Sequence, residues 1–213
     1  MDTTAYFVDK YNLDLSRPSP IEIPDVGRDS LGLWFKELGL TRGVELGVEK
    51  GVFSKVLLTA NPELELYCVD SWQPYLDYRC WMNTETSTRN YMEARARLKR
   101  FPNVRFIKAF SKIAVNKFED NSLDFVYIDA NHDLPWVMND IIWWEKKVRP
   151  GGIVAGHDYI RVHPLKPSRC FVIEAVAWYT ELKPVNPWFL IGTRAKVAGE
   201  ARDHTRSFFW IKP

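Results

Sequence analysis

The chain has 213 residues, 46% of them hydrophobic and 26% charged, which suits one globular domain whose core needs neither disulfides nor a structural metal. Its 29 basic and 27 acidic residues leave a net charge of +2, so no overall field selects nucleic acid or an anionic membrane. Cys68, Cys80 and Cys170 are odd in number and form no CxxC, so they read as reduced thiols of a cytoplasmic protein. No apolar run suits a signal peptide or a membrane span.

Residues 1–28 carry Pro18, Pro20 and Pro24 among polar residues and read as an extended N-terminal arm, with the domain proper over residues 29–213. From Ser30, a possible cap, Leu31, Trp34, Phe35 and Leu38 follow helical spacing. Alternation then begins. The apolar strand 43–46 meets a glycine turn and a helix with Phe53, Val56 and Leu57 on one face. Strand 66–69 ends at Asp70, and a helix over 89–100 precedes strand 104–109. Ser111 is placed to cap a helix carrying Ala114, Val115 and Phe118. Strand 125–128 ends at Asp129. Leu134, Val137, Ile141, Trp144 and Val148 form the next helical stripe, which Pro150-Gly151-Gly152 breaks. Strand 153–155 then leads to Gly156-His157-Asp158. A helix around Val172–Tyr179 is followed by strands 188–191 and 207–211, which only a loop separates and which should pair antiparallel. Near-continuous apolar strands alternating with helices predict an α/β fold, a mostly parallel sheet covered on both faces.

In such sheets ligands sit beyond the carboxyl ends of the strands. Glu45-Leu46-Gly47-Val48-Glu49-Lys50-Gly51, Asp70, Asp129 and Asp158 therefore share one rim. Gly47 and Gly51 stand where backbone can approach a ligand closely. The turn lacks GxGxxG, and no GxxxxGK[ST] occurs, so dinucleotide and P-loop readings lose their main support. Asp70 is placed to accept hydrogen bonds from a ribose diol, with Ser71 beside it. The plain alternative is a chain-turning glycine loop and an aspartate that caps a helix. Trp72, Tyr75, Tyr78 and Trp81 would hang over the rim, as stacking groups or as a small local core. The basic loop from Arg161 to Arg169 follows Asp158.

Val44–Ser54 (VELGVEKGVFS) resembles the first motif of class I S-adenosylmethionine-dependent methyltransferases. Asp70 falls at that family's ribose-binding acid, and Ala109-Phe110-Ser111 at its adenine-flanking segment. The terminal strand pair resembles the last two strands of its seven-stranded Rossmann-like sheet. More narrowly, Tyr127–Tyr159 (YIDANHDLPWVMNDIIWWEKKVRPGGIVAGHDY) is similar to the group containing macrocin-type sugar O-methyltransferases and cephalosporin hydroxylase-like proteins. The resemblance implies S-adenosylmethionine at Glu45, Gly47, Gly51, Asp70, Ser71, Phe110, Ser111 and Asp129. It further implies Mg2+ or another divalent cation at Asp129, Asp158 and His157, with His132 as general base toward a hydroxyl of a small molecule such as a sugar or natural product. Where related families often place a third oxygen ligand beside the second aspartate, this chain has His157 before Asp158 and Tyr159 after it. Two other readings stand beside this one: an iron-dependent oxygenase using His132, His157 and Asp158, and a nucleoside-binding protein without catalysis.

Overall fold

The computed structural model describes residues 2–74, 83–161, 170–183, 185–192 and 205–213. In chain order the elements are α1 (Thr3–Tyr11), β1 (Ile21–Glu22), α2 (Ser30–Glu37), β2 (Arg42–Leu46), α3 (Val52–Ala60), β3 (Glu65–Asp70), α4 (Thr84–Leu98), β4 (Val104–Lys108), α5 (Ser111–Ala114), β5 (Leu123–Ile128), α6 (Leu134–Glu145), β6 (Val148–Gly156), α7 (Val172–Leu182), β7 (Trp188–Ile191) and β8 (Ser207–Ile211). The strands form one sheet in the order β1-β7-β8-β6-β5-β2-β3-β4. β8 runs antiparallel to both β6 and β7, and every other pairing is parallel.

Strand alternation divides the core into two layers. Phe125 and Tyr127 of β5 face a layer that also contains Phe7, Trp34, Phe35, Phe53 and Leu98. Val126 and Ile128 face the other, with Val137, Ile141, Trp144, Val176 and Trp210. Burial of this apolar surface on both sheet faces supplies the main driving force for the fold. No helix of the described residues is long and apolar enough to cross a membrane.

The predicted α/β architecture with its terminal antiparallel pair is present. Four local expectations are corrected. Residues 1–28 are not extended throughout: α1 is capped by Asp2, whose carboxylate accepts the Ala5 N–H, and its Phe7 is fully buried against Trp34 and Phe209. β1 adds an eighth strand by pairing with β7. Val148 opens β6 instead of closing α6, because Pro150-Gly151-Gly152 lies within the strand as an irregularity that shifts register between Leu123 and Phe125. Neither Ser30 nor Ser111 caps: both lie inside their helices, after Asp29 and Phe110, with no side-chain cap bond. Ser111 is instead hydrogen-bonded to the buried Asp140 of α6.

Candidate active site

The carboxyl ends of β2, β3, β4 and β5 open onto one cleft of about 690 Å³, counting its open mouth. Its wall includes Gly47, Glu49, Asp70, Ser71, Trp72, Asn90, Ser111 and Asp129. Asp70 lies at the end of β3, where both carboxylate oxygens meet backbone: Oδ1 accepts the Trp72 N–H at 2.7 Å and Oδ2 the Glu49 N–H at 2.9 Å. Burial raises the Asp70 carboxyl, and those two amides oppose the shift. The Trp72 indole donates to the Glu49 carbonyl at 2.8 Å and packs on Tyr91, so this aromatic both joins the core and walls the cleft. Glu49, Trp72 and Asp158 all take left-handed backbone conformations, with φ of 48°, 42° and 53°, a cost that non-glycine residues carry mostly at built sites.

Gly47 has a different reason to be glycine than the one its turn suggests. With φ at +82°, a Cβ there would lie 1.9 Å from the Asp129 carbonyl oxygen and 2.7 Å from the Ala130 Cα. What comes close is the neighbouring strand end, so the glycine docks β2 against β5 before any ligand is considered.

Beyond the β5 end of the cleft lies a charged cluster. Ile128 pairs with Gly156, so Asp129 and Asp158 leave adjacent strands side by side. Buried His132 sits between them, with Nε2 3.3 Å from Asp129 Oδ1 and Nδ1 3.2 Å from Asp158 Oδ2. His157 Nδ1 is 3.3 Å from Asp158 Oδ1 and 3.7 Å from Asp129 Oδ2, while its Nε2 meets the Thr205 hydroxyl at 2.9 Å. That hydroxyl also donates to Asp158 at 3.0 Å. Burial alone would lower His157, but its bond to Asp158 and the charge of Asp129 hold it above its ordinary value. Burial works against Asp158 as well, yet the two imidazoles and Thr205 keep its carboxyl well below the usual carboxylate range. Arg28 completes the cluster: Nη1 is 3.5 Å from Asp129 Oδ2, and the guanidinium lies over the Phe53 ring, 5.2 Å from its centroid.

The family described as "Methyltransferase domain" matches residues 44–159, more than half of the chain. This chain belongs to that methyltransferase-domain family. The match spans both the cleft and the acid–histidine cluster, ending one residue after Asp158. No curated protein matches the chain. Among solved structures it resembles the O-methyltransferase from Bacillus cereus in complex with SAH, at 15% identity and a TM-score of 0.59 over 100% of this chain and 91% of that one. The O-methyltransferase TomG from Streptomyces achromogenes, in complex with SAM, aligns at 17% identity and a TM-score of 0.56, covering 98% of this chain and 87% of that one. The N-methyltransferase NodS from Bradyrhizobium japonicum aligns at 14% and 0.56, covering 87% and 94%. These likenesses establish the fold, that of the class I S-adenosylmethionine-dependent methyltransferases, and they include acceptor atoms of more than one kind.

Within this methyltransferase, Gly47, Asp70, Ser71, Ser111 and Asp129 of the expected cofactor residues line the cleft, whereas Glu45, Gly51 and Phe110 do not. Glu45 alternates away from Val44 and Leu46 and turns its carboxyl into the core, hydrogen-bonded by Ser54 and pushed up to about 8 by burial. A Cβ at Gly51 would approach Leu98 and Ala94 of α4, which makes it a packing position. One donor atom each from His132, Asp129 and Asp158 lies within 4.8 Å of the others, and His157, the expected third ligand, also reaches both carboxylates through Nδ1. Asn90, Arg28 and Thr205 join these two regions without any sequence expectation. Tyr75, Tyr78, Cys80 and Trp81, and the basic loop beyond Arg161, lie outside the described residues.

Proposed function

We propose that this enzyme transfers a methyl group from S-adenosylmethionine to a hydroxyl of a small molecule, a sugar or natural product, as the resemblance of Tyr127–Tyr159 to macrocin-type O-methyltransferases implies. The observation that carries the reading is the meeting of a cleft at the carboxyl ends of the strands with a histidine held between two carboxylates at its end. The methyltransferase domain is taken as residues 29–213, with the first 28 as a segment that contributes to its site. An iron-dependent oxygenase gains no support, since the family match is to a methyltransferase domain on an α/β sheet.

The cleft suits a nucleoside by its donors and acceptors. Asp70 retains lone pairs for a ribose diol, and Ser71 and Ser111 add hydroxyls. Buried Asn90 has a side-chain oxygen without a hydrogen-bond partner, the kind of group that a polar ligand satisfies. When bound, S-adenosylmethionine supplies the electrophilic methyl and a sulfonium whose charge is lost on transfer. His132 takes the acceptor proton on Nε2, the nitrogen facing cleft-lining Asp129, while Asp158 holds Nδ1 and orients the ring. Fixing acceptor and methyl group in line makes the step effectively unimolecular, which accounts for much of the acceleration.

The donor set of two carboxylates and one imidazole also fits a divalent cation, held by Asp129, Asp158 and His132, which would then take over from the imidazole the activation of the acceptor oxygen. Such a cation would orient the acceptor oxygen and lower its pKa. Arg28 and His157 already neutralise part of the same cluster. Transfer of labelled methyl from S-adenosylmethionine to a panel of hydroxylated sugars and natural products, with Mg2+ or with EDTA, tests both parts. Labelled product in either condition supports methyl transfer, and its loss with EDTA supports the cation. A panel in which only amines are labelled would refute the hydroxyl assignment.

A further inference from the structure

We infer that Arg28 binds the carboxylate at the amino-acid end of the cofactor, so that the Arg28–Asp129 pair recognises a zwitterion. The inference rests on the cofactor reading above and deepens it. The cleft has a direction. Asp70, Ser71 and Ser111 mark the β3 and β4 side, where the ribose and base find partners, and Gly47 and Asp129 mark the β2 and β5 side. A nucleoside seated at Asp70 therefore extends its 5′ substituent toward Asp129. In S-adenosylmethionine that substituent ends in an ammonium, which needs an acceptor, and a carboxylate, which needs a cation.

The wall of the cleft supplies only the first. Its ionisable residues are Glu49, Asp70 and Asp129, and no lysine, arginine or histidine lines it among the described residues. A carboxylate entering there would meet like charges alone and be repelled. Arg28 is the arginine in contact with the far wall, 3.5 Å from Asp129 Oδ2. The histidines nearby are less suited, because both ring nitrogens of each face Asp129, Asp158 or Thr205. A guanidinium carries five N–H donors in a planar fork and can serve two carboxylates at once. Stacking on Phe53 in the first turn of α3 holds that fork beside the turn that follows β2. With its side chain 24% exposed, Arg28 is accessible to a ligand without being free in solvent.

Calorimetry with two ligands isolates this contact: S-adenosylhomocysteine, and 5′-deoxy-5′-methylthioadenosine, which has the same nucleoside without the amino-acid end. The wild type should bind S-adenosylhomocysteine much more tightly. Arg28→Gln should weaken S-adenosylhomocysteine roughly 10- to 100-fold, the range of one charged hydrogen-bonded contact, and leave methylthioadenosine unchanged. Arg28→Lys should fall between. If Arg28→Gln does not fold, Arg28→Lys decides, and a variant with wild-type affinity for S-adenosylhomocysteine overturns the assignment. Equal loss for both ligands overturns it too. Wild-type protein that binds both ligands equally refutes Arg28 and leaves the cofactor reading intact, whereas wild-type protein that binds neither ligand removes both.

Discussion

At the nucleoside end of the cleft, Asp70 is fixed by the amides of Glu49 and Trp72, donors from the two turns flanking α3 and β3. At the other end, Arg28, Asp129, His132, His157, Asp158 and Thr205 come from four separated segments and face one another through side chains. The first region is set by strand ends and turns, so it forms whenever the sheet forms. The second depends on charges finding partners across the sheet, which makes it adjustable by substitution without loss of the fold. The difference separates a scaffold-determined binding cleft from a side-chain-determined chemical centre.

The strongest way to break that separation is at Gly47, where the two regions touch. Gly47→Val drives a side chain into the Asp129 backbone at a left-handed position, and neither strand end can yield cheaply. The variant should lose cooperative thermal unfolding or drop in midpoint by well over 10 °C, for a cost of several kcal/mol. A stable variant that merely fails to bind cofactor would show that the space belongs to a ligand. Next comes His132→Ala, which should lower methyl transfer by about 10²–10⁴-fold while S-adenosylhomocysteine still binds. Equal loss of both would mean that the charged centre also builds the cleft. Asp70→Ala should weaken S-adenosylhomocysteine by about 1.5–3 kcal/mol and lower the melting midpoint of the free protein modestly, as the Glu49 and Trp72 amides lose their acceptor.

A further effect is a matter of pH. Glu45 ionises near 4.5 when exposed and near 8 in the folded chain, because burial outweighs the Ser54 bond. Its stabilising contribution is therefore complete below pH 4.5 and is lost as pH rises toward 8, where the unfolded state has already released the proton. Glu45→Gln should flatten that part of the stability curve, losing less stability between pH 5 and pH 8 than the wild type does. A wild-type slope retained in the variant would place the titrating group elsewhere, with Asp140, pushed up to about 7 by burial, the first to examine.

Much of the scaffold was legible because apolar runs end at polar residues: Asp70, Asp129 and Asp158 announce strand ends by composition alone. Glu45 shows the limit of that reading. It belongs to the same motif, but the two-residue alternation of β2 sends its side chain into the core. Gly47 shows another limit, since a glycine required by a neighbouring strand and one required by a ligand look identical in sequence. Arg28 lies 101 residues from Asp129, and Thr205 lies 47 from Asp158, with no periodicity linking them. Such contacts follow from β8 lying beside β6 and from the entry into α2 passing over Phe53, facts that only the assembled sheet holds.

The central claim is that the cleft at the ends of β2, β3, β4 and β5 is a nucleoside cofactor site. Calorimetric titration of the wild-type protein with S-adenosylhomocysteine tests it most directly. Saturable binding of one ligand per chain, preserved in His132→Ala and weakened in Asp70→Ala, is the predicted result. Folded protein that shows no binding at millimolar ligand, or binding indifferent to Asp70, would contradict it.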